Sequence, residues 1–222
     1  MNLRVYKEFF SEHQVYRYRI TDEADRTLYL AEPTGFFLPN PTREITLLGP
    51  DREPVGRIEP PDPSRWPWGG EYTVVLEGRE TPLAVVAEQW ELVDMVLLRL
   101  PRYRFQWEEV SYIARGSRFG EQFYKIFPYP PEAEGEAESI EADTGTVDVA
   151  ELDMDRLEEV AEKEERRWGE PVGLIQRPSR GPHYQAEVWT SPLQGAALLL
   201  GVLVILADLH LQDREEREVS FM

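Results

Sequence analysis

The chain carries three histidines, His13, His183 and His210, far apart and without a His-Glu-x-x-His spacing. Zinc needs imidazoles or thiolates converging from close positions, so no zinc site is expected. There is no cysteine, which removes thiolate nucleophiles, disulfides and cysteine-based metal sites. Gly116-Ser117-Arg118-Phe119-Gly120 does not have the Gly-x-Ser-x-Gly spacing of a nucleophile elbow, and neither a Gly-x-Gly-x-x-Gly nor a Walker loop is present. Acidic residues offer more. Asp143, Asp148, Asp153 and Asp155, with Glu151, crowd together as candidate calcium ligands. Their spacing is not that of an EF-hand, and calcium needs oxygens converging on a rigid loop; a solvated acidic loop is the plainer reading. Asp208 with Glu187 is a conceivable carboxylate pair for hydrolysis, linked only by polarity near an apolar run. The expectation is a non-enzymatic protein without cofactor.

Two groups are candidates for binding. Trp66-Pro67-Trp68-Gly69-Gly70 places two indoles in a loop, suited to a membrane interface or a partner when exposed, and to plugging the fold when buried. Arg102 and Arg104, with Arg115 and Arg118, form the densest basic group. They are a candidate anion patch, although Glu108 and Glu109 nearby favour ordinary surface pairing. The formal net charge is -18. Residues 131–165 hold 15 acids against Arg156 and Lys163. Such a chain is repelled by phosphate backbones and anionic membranes, so nucleic acid is excluded as a partner. A lipid or protein partner stays open, and any peripheral membrane contact would not be polybasic. Met1–Lys7 does not read as a secretory signal. With the missing cysteines, this gives a cytoplasmic expectation. Basic residues that are nearly all arginine fit a GC-rich or thermophilic bacterial source.

The elements that must position these residues are mostly short strands. Val15–Ile20 alternates Tyr16, Tyr18 and Ile20 with arginines, the period of a half-buried strand. Thr27–Ala31, Glu44–Leu48, Pro54–Ile58, Tyr72–Leu76, Leu83–Glu88, Met95–Leu100, Tyr103–Trp107, Val110–Ala114 and Gln122–Phe127 follow between Gly, Pro and Asp breakers. Tyr184–Trp189 is a last strand. Many short strands at near-regular spacing argue for a sandwich or barrel.

An internal repeat organises them. Glu53-Pro54-Val55-Gly56-Arg57-Ile58 recurs as Glu170-Pro171-Val172-Gly173-Leu174-Ile175, 117 residues on, and Tyr16-Arg17-Tyr18 is echoed by Tyr103-Arg104-Phe105, 87 residues on. The difference of 30 residues is an insertion in the second copy, and the acidic stretch of about 130–168 sits where it should be. Its first part, 130–146, is too poor in large apolar residues to order itself. Asp155–Trp168 reads as a helix, with Asp155 as N-cap, Glu158 completing a capping box, and Gly169 and Pro171 as its stop. Leu157, Val160, Ala161 and Trp168 share its apolar face.

At the C-terminus, Ser191-Pro192 reads as N-cap and first helical residue. Within Leu193–Leu209 the run to Ala207 is apolar on every side except at Gln194, and Asp208 and His210 follow it. Such a helix must be surrounded by protein or by lipid. Its uninterrupted stretch, Gly195–Ala207, is 13 residues, short of the ~20 needed to span a bilayer, which favours a core helix over a C-terminal anchor.

The series Tyr18–Glu23, Leu28–Glu32, Ile45–Asp51, Val55–Ile58 and Ile205–Asp208 resembles the tubby C-terminal-like superfamily, on its phospholipid scramblase and LURP-one-related branch. The resemblance implies one domain over residues 1–222, mainly β. Two pseudo-repeats would form a closed twelve-stranded barrel around a central hydrophobic C-terminal helix. It implies a binding or scaffold role, lipid- or membrane-associated in some members; the alternative is a C-terminally anchored protein that moves phospholipid. The chain lacks both the clustered basic residues of phosphoinositide-binding members and the Cys-rich segment of animal scramblases, so no binding residue carries over.

Overall fold

The computed structural model describes residues 1–9, 16–34, 42–62, 70–91, 94, 96, 100–117, 122–129, 154–177, 183–190 and 192–220, with only the backbone of 122, 154–158, 160 and 212–220. Twelve antiparallel strands close into one barrel. They are β1 (Asn2–Phe9), β2 (Tyr16–Thr21), β3 (Thr27–Pro33), β4 (Ile45–Leu48), β5 (Pro54–Glu59) and β6 (Glu71–Leu76), then β7 (Ala84–Gln89), β8 (Arg102–Trp107), β9 (Val110–Gly116), β10 (Gln122–Pro128), β11 (Gly173–Gln176) and β12 (His183–Val188). Each strand pairs with its sequence neighbours, and β1 closes the ring on β12 with Leu3 opposite Ala186 and Val5 opposite Tyr184. Closure leaves no unpaired edge to template aggregation.

Strand β1 was not among the expected strands, although Leu3, Val5 and Lys7 alternate along it. The expected strand Met95–Leu100 is not one of the twelve. Its described residues run otherwise: Asp94 and Val96 lie in π-helical turns, and Leu100 precedes β8. The apolar run there lacks the alternation that a sheet with one wet face requires, and Asp94 is drawn into ion pairs described below.

The connections sort by end. β2–β3, β4–β5, β6–β7 and β8–β9 are joined by tight turns, with Asp25, Arg52, Gly78 and Glu108 at positive φ. Asp22 Oδ1 accepts from Ala24 N and Arg26 N, both 2.9 Å away, and so closes one of these turns. The odd-numbered connections leave from the opposite end, since every strand runs antiparallel to the last.

Among the described residues, two α-helices accompany the barrel. Helix α1 (Met154–Trp168) begins one residue before its expected start, so Asp155 sits in the first turn and is not the N-cap. Pro192–Gly195 is a 3-10 turn, and helix α2 (Ala197–Ser220) follows it, continuing through the charged tail beyond the apolar run. From Leu198 to Leu211 every residue is buried. α2 packs on β1, β2 and β12. Across the ring His210 bonds to β7 and β8 and packs edge-on against Tyr72 of β6. Each buried Leu, Val or Ile contributes roughly 1.5–3 kcal/mol relative to exposure. Among the described residues, no helix is long and apolar enough to cross a membrane.

The two repeats occupy β1–β6 and β7–β12. Gly56 on β5 and Gly173 on β11 make the same close approach to the next strand. A Cβ on Gly56 would fall against the Val75 carbonyl oxygen of β6, and one on Gly173 would lie 2.9 Å from that of Glu187 on β12. Gly201 is the matching concession on α2, where a Cβ would run into Ile20 of β2. Gly56→Ala is expected to destabilise by about 1–3 kcal/mol through overpacking against backbone. Gly173→Ala, with a wider gap, is expected to cost less. Urea-denaturation midpoints of the two variants check the order.

Candidate functional site

Where α2 emerges at the end with the odd-numbered connections, its apolar surface gives way to Asp208 and His210. Two residues along a helix turn about 200°, so these side chains point to opposite walls. Asp208 accepts from Tyr18 Oη of β2 at 2.6 Å, from Lys7 Nζ of β1 at 3.1 Å and from Tyr184 Oη of β12. His210 faces β6, β7 and β8: Nδ1 lies 2.8 Å from Tyr103 Oη and 2.9 Å from the Leu206 carbonyl, and Nε2 lies 3.1 Å from Glu88 Oε2. Trp90 Nε1 donates to Glu88 at 2.5 Å, and Tyr72 Oη lies 3.4 Å from its other oxygen.

The two walls are repeat equivalents. β12, β1 and β2 on one wall correspond strand for strand to β6, β7 and β8 on the other, each wall spanning a junction between the copies. Tyr72 and Tyr184 each lie four residues before the residue opposite the repeat glycine, Leu76 for Gly56 and Val188 for Gly173. The correspondence is not complete: Tyr18 matches Phe105, which stacks on Tyr112. A single helix therefore meets a duplicated socket with an acid on one side and an imidazole on the other.

Burial alone would raise the Glu88 carboxyl. The hydrogen bond and charge of His210, with Trp90 and Tyr72, outweigh it and hold Glu88 below the ordinary glutamate range. Tyr18 and Tyr103 are pushed up, by burial first and then by neighbouring carboxylates and tyrosines, so both stay neutral donors. The collar is packed, with its charges directed at one another.

A second charged cluster lies outside the barrel, where α1 crosses β8, β9 and β10. Arg102 and Arg115 point outward from adjacent strands yet are buried, because Asp94 and α1 cover them. Arg102 pairs with Asp94, with Glu91 at 2.5 Å and with Glu164 at 2.8 Å. Arg115 donates to Asp94 Oδ1 and to the Ala161 carbonyl, each at 3.0 Å, and Lys125 pairs with Glu165 at 2.7 Å. The Trp168 ring lies 5.2 Å from the Arg102 guanidinium and 5.5 Å from that of Arg115, and packs on Phe127. Burial raises Asp94 despite its two arginines. Burial, with the carboxylates of Glu164 and Asp94, pushes Glu91 up to about 7 against the pull of Arg102 and Arg115.

Several expectations are corrected here. Arg102 is no open anion patch: it is consumed by intramolecular ion pairs. Arg104 is half-buried with its guanidinium 5.0 Å from the Tyr129 ring, apart from the Arg102–Arg115 pair. Asp208 and Glu187 cannot act together, since Asp208 is inside the barrel and Glu187 is exposed on its outer face. Glu187 instead helps line a groove of about 350 Å³ with Asn2, Arg4 and Gln185. His183 stacks on Tyr6 outside, with ring centroids 4.8 Å apart. Trp66, Trp68, Asp143, Asp148 and Asp153 lie outside the described residues, as does His13. Of Asp155 only the helical backbone is described. Among the described residues no His, Asp or Glu group is placed to hold a metal.

Sequence reasoning passed over Lys7 and Glu88, yet a signal existed. Lys7 follows Leu3 and Val5, and Glu88 follows Ala84 and Val86, at the period of the inward face. A charge in inward phase announces a buried partner. No family model matches the chain, and no curated protein or solved structure matches it.

Asp208→Ala strips the partner from nearly buried Lys7 and two tyrosines, and is expected to cost about 3–5 kcal/mol. Lys7→Met, which leaves Asp208 with both tyrosine donors, is expected to cost less; urea unfolding of each checks this. pH should act through carboxylates with opposite signs. Glu88 and Glu8 are held low. Their stabilisation is complete above the ordinary glutamate value of 4.5 and is lost as pH falls through their lower folded values. Glu91, raised, opposes folding slightly as pH rises from 4.5 to about 7, an effect that solvent screens at a half-exposed side chain. Urea midpoints between pH 7 and 3 should therefore fall mainly in acid, and Glu88→Gln should flatten that fall.

Proposed function

We propose that the chain is a non-enzymatic binding or scaffold domain, a tubby-like barrel of the LURP-one and scramblase-related kind, acting on the cytoplasmic side. The observation that carries this reading is that α2 and the collar fill the barrel and that the charges there neutralise one another. An enzyme of this architecture would need a cleft with a reactive group facing substrate. Asp208, His210 and Glu88 are instead spent on the helix and the wall. The twelve-stranded ring around a C-terminal helix supports the family reading, because that is the architecture the sequence resemblance implies. The outer faces and the end of the barrel with the odd-numbered connections are left to meet a partner. Net negative charge favours a protein over an anionic lipid surface.

The test is turnover. The purified chain is screened against ester, phosphoester and glycoside reporter substrates, with Asp208→Asn and His210→Gln in parallel. A binding domain gives no turnover that either substitution removes. A rate lost in either variant, with its fold intact by circular dichroism, overturns the reading.

A further inference from the structure

We infer that the outer face of β8–β10 is a docking site for an acidic helix of a partner protein, occupied in this structure by the chain's own α1. This rests on the binding-domain reading and names its surface and partner class. The face is built to receive carboxylates. Arg102, Arg115 and Lys125 project from three adjacent strands, and all three are paired with acids of α1. Asp94, itself fully buried, bridges Arg102 and Arg115 from the barrel side and so fixes both forks in position without α1. Guanidinium planes held this way recognise carboxylates with defined geometry. Arg115 Nη2, also buried, meets no hydrogen-bond acceptor among the described residues.

Among its described side chains, the helix is held in that site by Glu164, Glu165 and Trp168. Glu164 and Glu165 remain about a quarter exposed, at 25% and 29%. Its conspicuous aromatic contact is Trp168, which covers the arginines and Phe127. A groove of about 320 Å³ lies open beside it between Lys125, Phe127, Glu162, Glu165 and Pro171. Glu164, Glu165 and Lys125 keep contact with solvent, so the carboxylate side of these pairs is open to salt and to exchange even though the two arginines are buried. The helix is joined to β10 by the 25 residues 129–153 and to β11 by the four residues 169–172. Covalent connection at both ends makes α1 an intramolecular competitor of any partner for this face. A partner helix with the same pattern, acids one turn before a terminal aromatic, would take its place. α1 is thus a resident competitor that sets the threshold for binding.

The probe is a labelled peptide with the sequence of residues 154–168, titrated into the full chain and followed by fluorescence anisotropy. In Glu164→Arg/Glu165→Arg the chain's own helix is repelled while the face is unaltered. This variant should bind the peptide at least tenfold more tightly than wild type, and 0.5 M salt should weaken the binding. Should that variant not fold, Glu164→Gln/Glu165→Gln tests the same exchange without repulsion. A folded variant that does not bind, equal binding to wild type and variant, or equal binding of a polyglutamate peptide would each overturn the proposal. So would displacement of the peptide by anionic vesicles, which would assign the face to lipid. Failure of peptide binding leaves the non-enzymatic reading standing, whereas turnover lost with Asp208 or His210 removes that reading.

Discussion

A helix that is apolar around its whole circumference cannot lie against a flat layer, because one side would remain in water. That constraint governs the molecule. It requires a wall on every side, and twelve short antiparallel strands supply it by closing β1 onto β12. The alternation in each strand follows, with inward residues touching α2 and outward residues meeting solvent or α1. The glycines follow too: where β5 and β11 run tight against the next strand, and where α2 passes Ile20, a side chain would hold the layers apart.

The polar collar addresses what the apolar core leaves open. Hydrophobic packing is non-directional, and a smooth helix in a greasy tube has little to fix its depth or rotation. Asp208 and His210 fix both, because Asp208 is bonded to β1, β2 and β12 and His210 to β7 and β8 on the opposite wall. Such groups are costly to bury and gain from having one geometry in which all are matched. Duplication explains how one helix finds partners on both sides, since the socket is made twice and then diverges, as Tyr18 and Phe105 show.

Much of this was legible in the residues. Tyr16, Tyr18 and Ile20 announced a strand by period, the repeated Glu-Pro-Val-Gly announced a duplicated shell, and the length of the apolar run favoured core over membrane. What escaped was long-range. That no described strand covers Met95–Leu100 goes with Asp94 meeting two arginines from β8 and β9, which no local window contains. That Arg102 and Arg115 are buried depends on an inserted helix returning over them. The collar was half visible, as a helix ending in Asp208 and His210, but Lys7 and Glu88 become its partners only once the ring has closed.

The order of elements along the chain has a consequence for biosynthesis. The filling of the barrel, α2, follows all twelve strands, and β1 must wait for β12, whose Val188 carbonyl accepts from the Met1 amino group at 2.9 Å. Translation proceeds at about 5–20 residues per second, so the first strands leave the ribosome many seconds before either their lateral neighbour or their core exists. The nascent chain is for that interval a set of half-apolar strands without their core, and closure waits until β12 and α2 have been made.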